Sequence, residues 1–160
     1  MLTLALALAT AWYQPAPAAI TPTGCDTAFL ALPVRYSFNY GPDIQALWQG
    51  QCANCHVDHG GAPLGGLDLD PPGSYFAIVG SPAAGDSSIL LVKPGDPRNS
   101  LMFRKINCNQ PGPFNSSPRM PLARPAMSAA DQALIYDWIA AGAPEINDTL
   151  FRSGFSPARQ

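Results

Sequence analysis

The sequence predicts an all-α fold: three to four short helices joined by long irregular loops. Three observations carry that expectation. Apolar residues recur at helical spacing in three places, each opened by a residue type that caps helices. Proline and glycine are abundant, eighteen and fourteen in 160 residues, which keeps helices short and connections irregular. The only stretches with strand character are Leu67-Asp68-Leu69-Asp70 and Ile89-Leu90-Leu91-Val92, each short enough to be a brief strand or a cover over the core.

The helices can be placed in order. Pro42-Asp43 opens the first, with Asp43 as its cap; Ile44, Leu47 and Trp48 form an apolar face running into Cys52, and Gly60-Gly61 ends the segment after His59. Asp96-Pro97 opens the second, a cap followed by proline at the first helical position, with Leu101, Met102 and Ile106 on its buried side. The last is the best marked. Ser128 caps it, Asp131 takes the capping-box position, Leu134, Ile135, Trp138 and Ile139 repeat at helical spacing, and Gly142 with Pro144 stops it.

Composition excludes several classes. Hydrophobic residues are 47% and charged residues 12% of the chain, a balance for a folded rather than a disordered protein. Net charge is −2, with nine Lys and Arg in no run. That argues against a nucleic-acid footprint and against docking on anionic lipid. Residues 1–35 form a signal-like segment or arm: Met1 to Ala11 is apolar but too short to span a bilayer, and Pro15-Ala16-Pro17-Ala18-Ala19 follows it. This resembles an export signal, although no basic residue precedes the apolar run. Export would place the protein in the periplasm or on the outer side of the cytoplasmic membrane.

Four cysteines occur, Cys25, Cys52, Cys55 and Cys108. The decisive stretch is Cys52-Ala53-Asn54-Cys55-His56. Two thiols three positions apart can add across the two vinyl groups of a haem, which leaves the following histidine under the iron. On a helix, positions 52, 55 and 56 are related by steps of three and four and share one stripe. The competing readings are a zinc site of Cys52, Cys55, His56 and His59, cramped into eight residues; a redox dithiol, which wants a strand before it rather than a helix; and plain thiols. With those two cysteines used, Cys25 and Cys108 remain to form a disulfide in an oxidising compartment. The alternatives are two buried thiols or a lipid anchor on Cys25.

His56 fills one axial position of an iron. His59 lies along the same stretch and cannot easily reach the opposite face, and no third histidine exists. Met120, in Arg119-Met120-Pro121 at the end of a loop rich in Pro, Gly, Asn and Ser, is the best sixth ligand, since long irregular loops usually serve a purpose. Met127, Met102 and an open position are the alternatives. Arg119, Arg124 and Lys93 are candidates to pair with haem propionates, with ordinary surface charge as the competing role. Trp138 is favoured as core over a contact with the haem edge. Asp68 and Asp70 lack the further oxygen ligands of a calcium loop and read as solvated.

These motifs, in their order, resemble the bacterial single-haem cytochrome c domains. Ser37-Phe38, Asp43-Ile44, Cys52 to His56, Gly65-Gly66-Leu67-Asp68-Leu69, Pro94-Gly95-Asp96-Pro97 with Ser100, Met120-Pro121 and Asp137-Trp138-Ile139 through Gly142-Ala143 carry the likeness. It spans residues 36–145, with 146–160 left as a tail. The resemblance implies the cytochrome c fold around one covalent haem c, with Cys52, Cys55, His56 and Met120 as cofactor-binding residues and His56 and Met120 as the axial iron ligands. It also implies electron transfer rather than catalysis, between redox protein partners; the apolar N-terminus, the unassigned tail and the low charge separately permit a role as a subunit of a larger, membrane-associated complex. The competing function is a small-ligand sensor or peroxidase-like module with an open sixth site, against which stands the lack of a spare distal histidine.

Overall fold

A computed structural model describes residues 25–57, 63–108 and 118–146. The apolar run Met1 to Ala11, His59 with the Gly60-Gly61 stop, most of the loop before Met120 and the tail from 147 onward lie outside the described residues.

The core forms on the last helix, α4 (Ala129–Ala140). The Ser128 hydroxyl accepts the Asp131 N–H and donates to the Asp131 carboxylate, which satisfies one orphan donor of the first turn. Ile135, Trp138 and Ile139 are wholly excluded from solvent. The Trp138 indole N–H donates to the Pro144 carbonyl at 2.9 Å, so the ring is buried with its polar edge satisfied. Gly142, at φ 97°, takes the left-handed turn that ends the helix. Tyr136 of α4 meets Phe103 and Phe29 in a cluster with ring centroids 5.2–5.4 Å apart. Phe29 belongs to a 3-10 turn, Ala28–Ala31, so residues assigned from sequence to the N-terminal arm contribute to the core.

The segment leading to Cys52 starts earlier than its sequence suggests. A π-helical turn, Tyr40–Gln45, runs into α1 (Ala46–Gln51). Asp43 is therefore inside the first turn. It reaches back to accept the Asn39 N–H at 2.7 Å and pairs with Arg35 at 2.7 Å, so it still satisfies a helix-start donor from a different position. After α2 (Ser74–Ile78), Asp96 caps a 3-10 turn, Pro97–Asn99. Extended backbone at Ser100 then separates that turn from α3 (Leu101–Asn107), where one continuous helix was expected.

The expectation of an all-α, cytochrome c-like fold is corrected by a two-stranded antiparallel sheet. β1 (Pro82–Ala83) pairs with β2 (Asp86–Leu90), Pro82 opposite Leu90 and Ala83 opposite Asp86 with an irregularity between them. The reason is local. Ala84-Gly85 turns the chain in two residues, so the flanking backbone satisfies itself across the hairpin. β2 takes in Ile89 and Leu90 of the apolar run, whereas Leu67 to Asp70 belongs to no strand.

Candidate cofactor site

Helix α1 stops at Gln51, yet the pentapeptide Cys52 to His56 continues to coil. The N–H groups of Cys55 and His56 both donate to the Cys52 carbonyl at 3.1 Å, so the two thiols and the imidazole remain on one turn. The chain then returns to the same place from the far side of the undescribed residues 58–62. Leu64 N–H donates to the Cys55 carbonyl at 3.0 Å and Leu69 N–H to the His56 carbonyl at 2.7 Å. A buried polar group secures this return: Gln45 donates to the Leu69 carbonyl at 2.8 Å and accepts from the Ser74 hydroxyl, which also meets the Tyr40 hydroxyl at 2.9 Å.

His56 Nδ1 lies 2.9 Å from the Leu64 carbonyl. A carbonyl only accepts, so Nδ1 donates, and in the neutral imidazole that leaves the Nε2 lone pair for a ligand. The ring lines a cavity of about 740 Å³, within the size range of small-molecule and cofactor sites. Cys52 and Cys55 line the same cavity and are free thiols, the first half-buried and the second exposed. Burial pushes the Cys52 thiol up to about 11, against a smaller lowering by the Arg124 charge. A redox dithiol needs the opposite shift, toward the thiolate. Among the described residues no three His, Cys, Asp or Glu side chains gather to hold a metal ion, so Cys52, Cys55 and His56 do not converge as a zinc site would require.

The remaining walls are apolar and come from distant segments. Leu67 and Leu69 follow the attachment turn, Ala83 to Gly85 form the hairpin tip, and Leu101, Met102 and Ile106 come from α3. Leu64 and Leu122 line the cavity while staying exposed, so it opens to solvent beside them. Of the methionines, Met120 and Met102 reach the cavity; Met127 is buried in the core and does not line it.

Among the basic candidates, only Arg124 lines the cavity, with hydrogen bonds to the carbonyls of Gly50 and Gln51 at 3.2 and 3.4 Å. Arg119 turns away to pair with Asp26, and Lys93 pairs with Asp96 at 2.8 Å. A basic residue missed in the sequence, Lys105, lines the cavity, and burial lowers its pKa. The signal was present: Lys105 stands four residues after Leu101 and three after Met102, on the stripe of α3 that faces inward. Trp138 lies in the core and does not line the cavity. A disulfide joins Cys25 to Cys108, so Cys25 has no thiol left for a lipid.

The residues fit a covalent haem on three counts: paired free thiols with an adjacent imidazole that donates from Nδ1, a largely apolar cavity of sufficient size, and the Met120 thioether side chain in its lining. In comparisons with family models, curated proteins and solved structures, none matches this chain.

Proposed function

We propose that the protein is an electron carrier holding a single haem c through Cys52, Cys55, His56 and Met120. The observation that carries the reading is the pentapeptide Cys52 to His56 lining an apolar cavity, with the imidazole proton fixed on Nδ1 by the Leu64 carbonyl. A haem in that place supplies a one-electron couple at its iron.

The chain's own residues do the rest. Cys52 and Cys55 would form the thioether links, on the same turn as His56. The Leu64 carbonyl holds the imidazole in one orientation and raises its basicity as a ligand. Met120 would be the second protein side chain to hold the iron, and histidine with methionine favours the reduced state relative to two histidines. The leucines and alanines of the wall exclude water and keep the dielectric low, which penalises added charge at the centre. Arg124 and Lys105 supply positive charge at the cavity, suited to the acidic groups of such a ring.

Export to an oxidising compartment belongs to the same proposal, supported by the Cys25–Cys108 disulfide. No helix among the described residues is long and apolar enough to cross a membrane. Partners would be other redox proteins.

The test is extraction and spectroscopy. The purified protein should retain its pigment in acidified organic solvent, and the reduced form should fail to bind carbon monoxide promptly. Release of the pigment would overturn covalent attachment. Prompt binding of the gas would instead favour an open sixth site.

A further inference from the structure

A helix leaves its last four carbonyls without partners inside the helix. For α3 these belong to Arg104, Lys105, Ile106 and Asn107, and each has a specific donor. Cys108 N–H donates to Arg104 at 2.9 Å and Met120 N–H to Lys105 at 2.8 Å; Arg119 Nε donates to Ile106 at 2.8 Å and Asp26 N–H to Asn107 at 3.1 Å. Two of the four donors come from the residue pair Arg119-Met120, and a third from the N-terminal segment.

These partners are also bound to one another. The Arg119 guanidinium pairs with the Asp26 carboxylate, which accepts a second bond from Gln132 of α4 at 2.8 Å. Asn107 donates to the Asp26 carbonyl at 3.0 Å and to the Gln132 side chain at 2.8 Å. Gln132 in turn donates to the Met127 carbonyl at 2.9 Å, at the far end of the Met120 segment. Asp26 is fixed beside the end of α3 because its neighbour Cys25 is bonded to Cys108.

From this arrangement we infer that Asp26 is a positioning residue for Met120. It acts through Arg119, and the C-terminal end of α3 is the platform on which the Met120 thioether is set against the cavity. The inference rests on the proposed haem reading for its consequence, the sixth ligand. The clamp itself is a property of the chain. Arg119 suits this place for two reasons: its fork bonds a carbonyl and a carboxylate at once, and a cation is favoured at a helix C-terminus. The pair is not the propionate partner that its neighbourhood in sequence suggested.

The test uses the full-length pigmented protein and the variants Asp26→Asn, Arg119→Gln and Asp26→Glu. Three readouts apply: the weak red absorption band of a methionine–ferric iron bond, hydrogen exchange of the Met120 amide, and peroxide oxidation of Met120 followed by mass spectrometry. Removing the charge at 26 or 119 should weaken the band and speed Met120 exchange and oxidation by about tenfold, the scale of one lost charge-assisted hydrogen bond. The covalent pigment should persist, and Asp26→Glu should recover most of the protection. Met120 protection unchanged in both Asp26→Asn and Arg119→Gln would overturn the inference. An equal rise in exchange along all of α4 would overturn it too, because that marks general loss of stability. A wild-type protein without covalent pigment would overturn the proposed function instead, and the clamp would then stand or fall on Met120 exchange and oxidation alone.

Discussion

The segments carrying His56 and Met120 reach the same cavity by different means. The His56 turn is held by its neighbours: Cys52, Leu64 and Leu69 all bond to it within seventeen positions of one another. The Met120 segment is held by groups from Asp26, the end of α3 and Gln132 of α4. The His56 segment is thus held largely by residues near it in sequence, the Met120 segment by a tertiary junction. A local turn needs little of the rest of the fold, whereas the junction needs the core and the disulfide in place.

That contrast can be broken most severely at the local end. His56→Ala should give protein without the native visible spectrum, whereas Met120→Ala should keep the pigment and change both spectrum and midpoint potential. Met102→Leu, also at the cavity wall, should leave both unchanged and cost under about 1.5 kcal/mol as a volume-conserving swap. A spectral shift in Met102→Leu rather than Met120→Ala would reassign the ligand.

The double variant Cys25→Ser, Cys108→Ser addresses the junction. It opens a loop of sequence separation 83 and should lose about 2–5 kcal/mol in denaturant unfolding. Exchange should rise at Met120 before it rises at His56. Simultaneous rise at both would mean that the two segments fold as one unit.

Acid should act on the same junction. Arg119 and Gln132, by hydrogen bonds, hold the Asp26 carboxyl below its ordinary value of 3.8. A depressed carboxylate contributes stability that is full above the unfolded value and is lost as pH falls through the folded one. Acid unfolding below about pH 4 should therefore be shallower in Asp26→Asn than in the wild type, a comparison read by circular dichroism. The smallest effect is expected away from both segments. Ser128→Ala removes the α4 cap and should cost about 1 kcal/mol with no change in spectrum.

The same division decides what the sequence could reveal. α4 was legible because its cap, its apolar stripe and its glycine stop lie within fifteen residues. The turn from Cys52 to His56 was legible because its two thiols and its imidazole fall within five consecutive residues. The hairpin was obscure: its strands are two and five residues long, one begins with proline, and neither alternates cleanly. Its turn, Ala84-Gly85, carries only a weak hairpin signal. The partner of Arg119 was obscure for another reason. Asp26 lies 93 positions away, and no local pattern points to it until Cys25 is joined to Cys108. Arg119 therefore looked like a spare cation beside Met120, when its charge is already taken.

The place of Cys25 and Asp26 in the junction limits how the front of the chain can be trimmed. On the proposed export, a processing peptidase would have to cut upstream of Cys25. A cut only two bonds later would discard the crosslink and the carboxylate together and leave the Met120 segment unanchored.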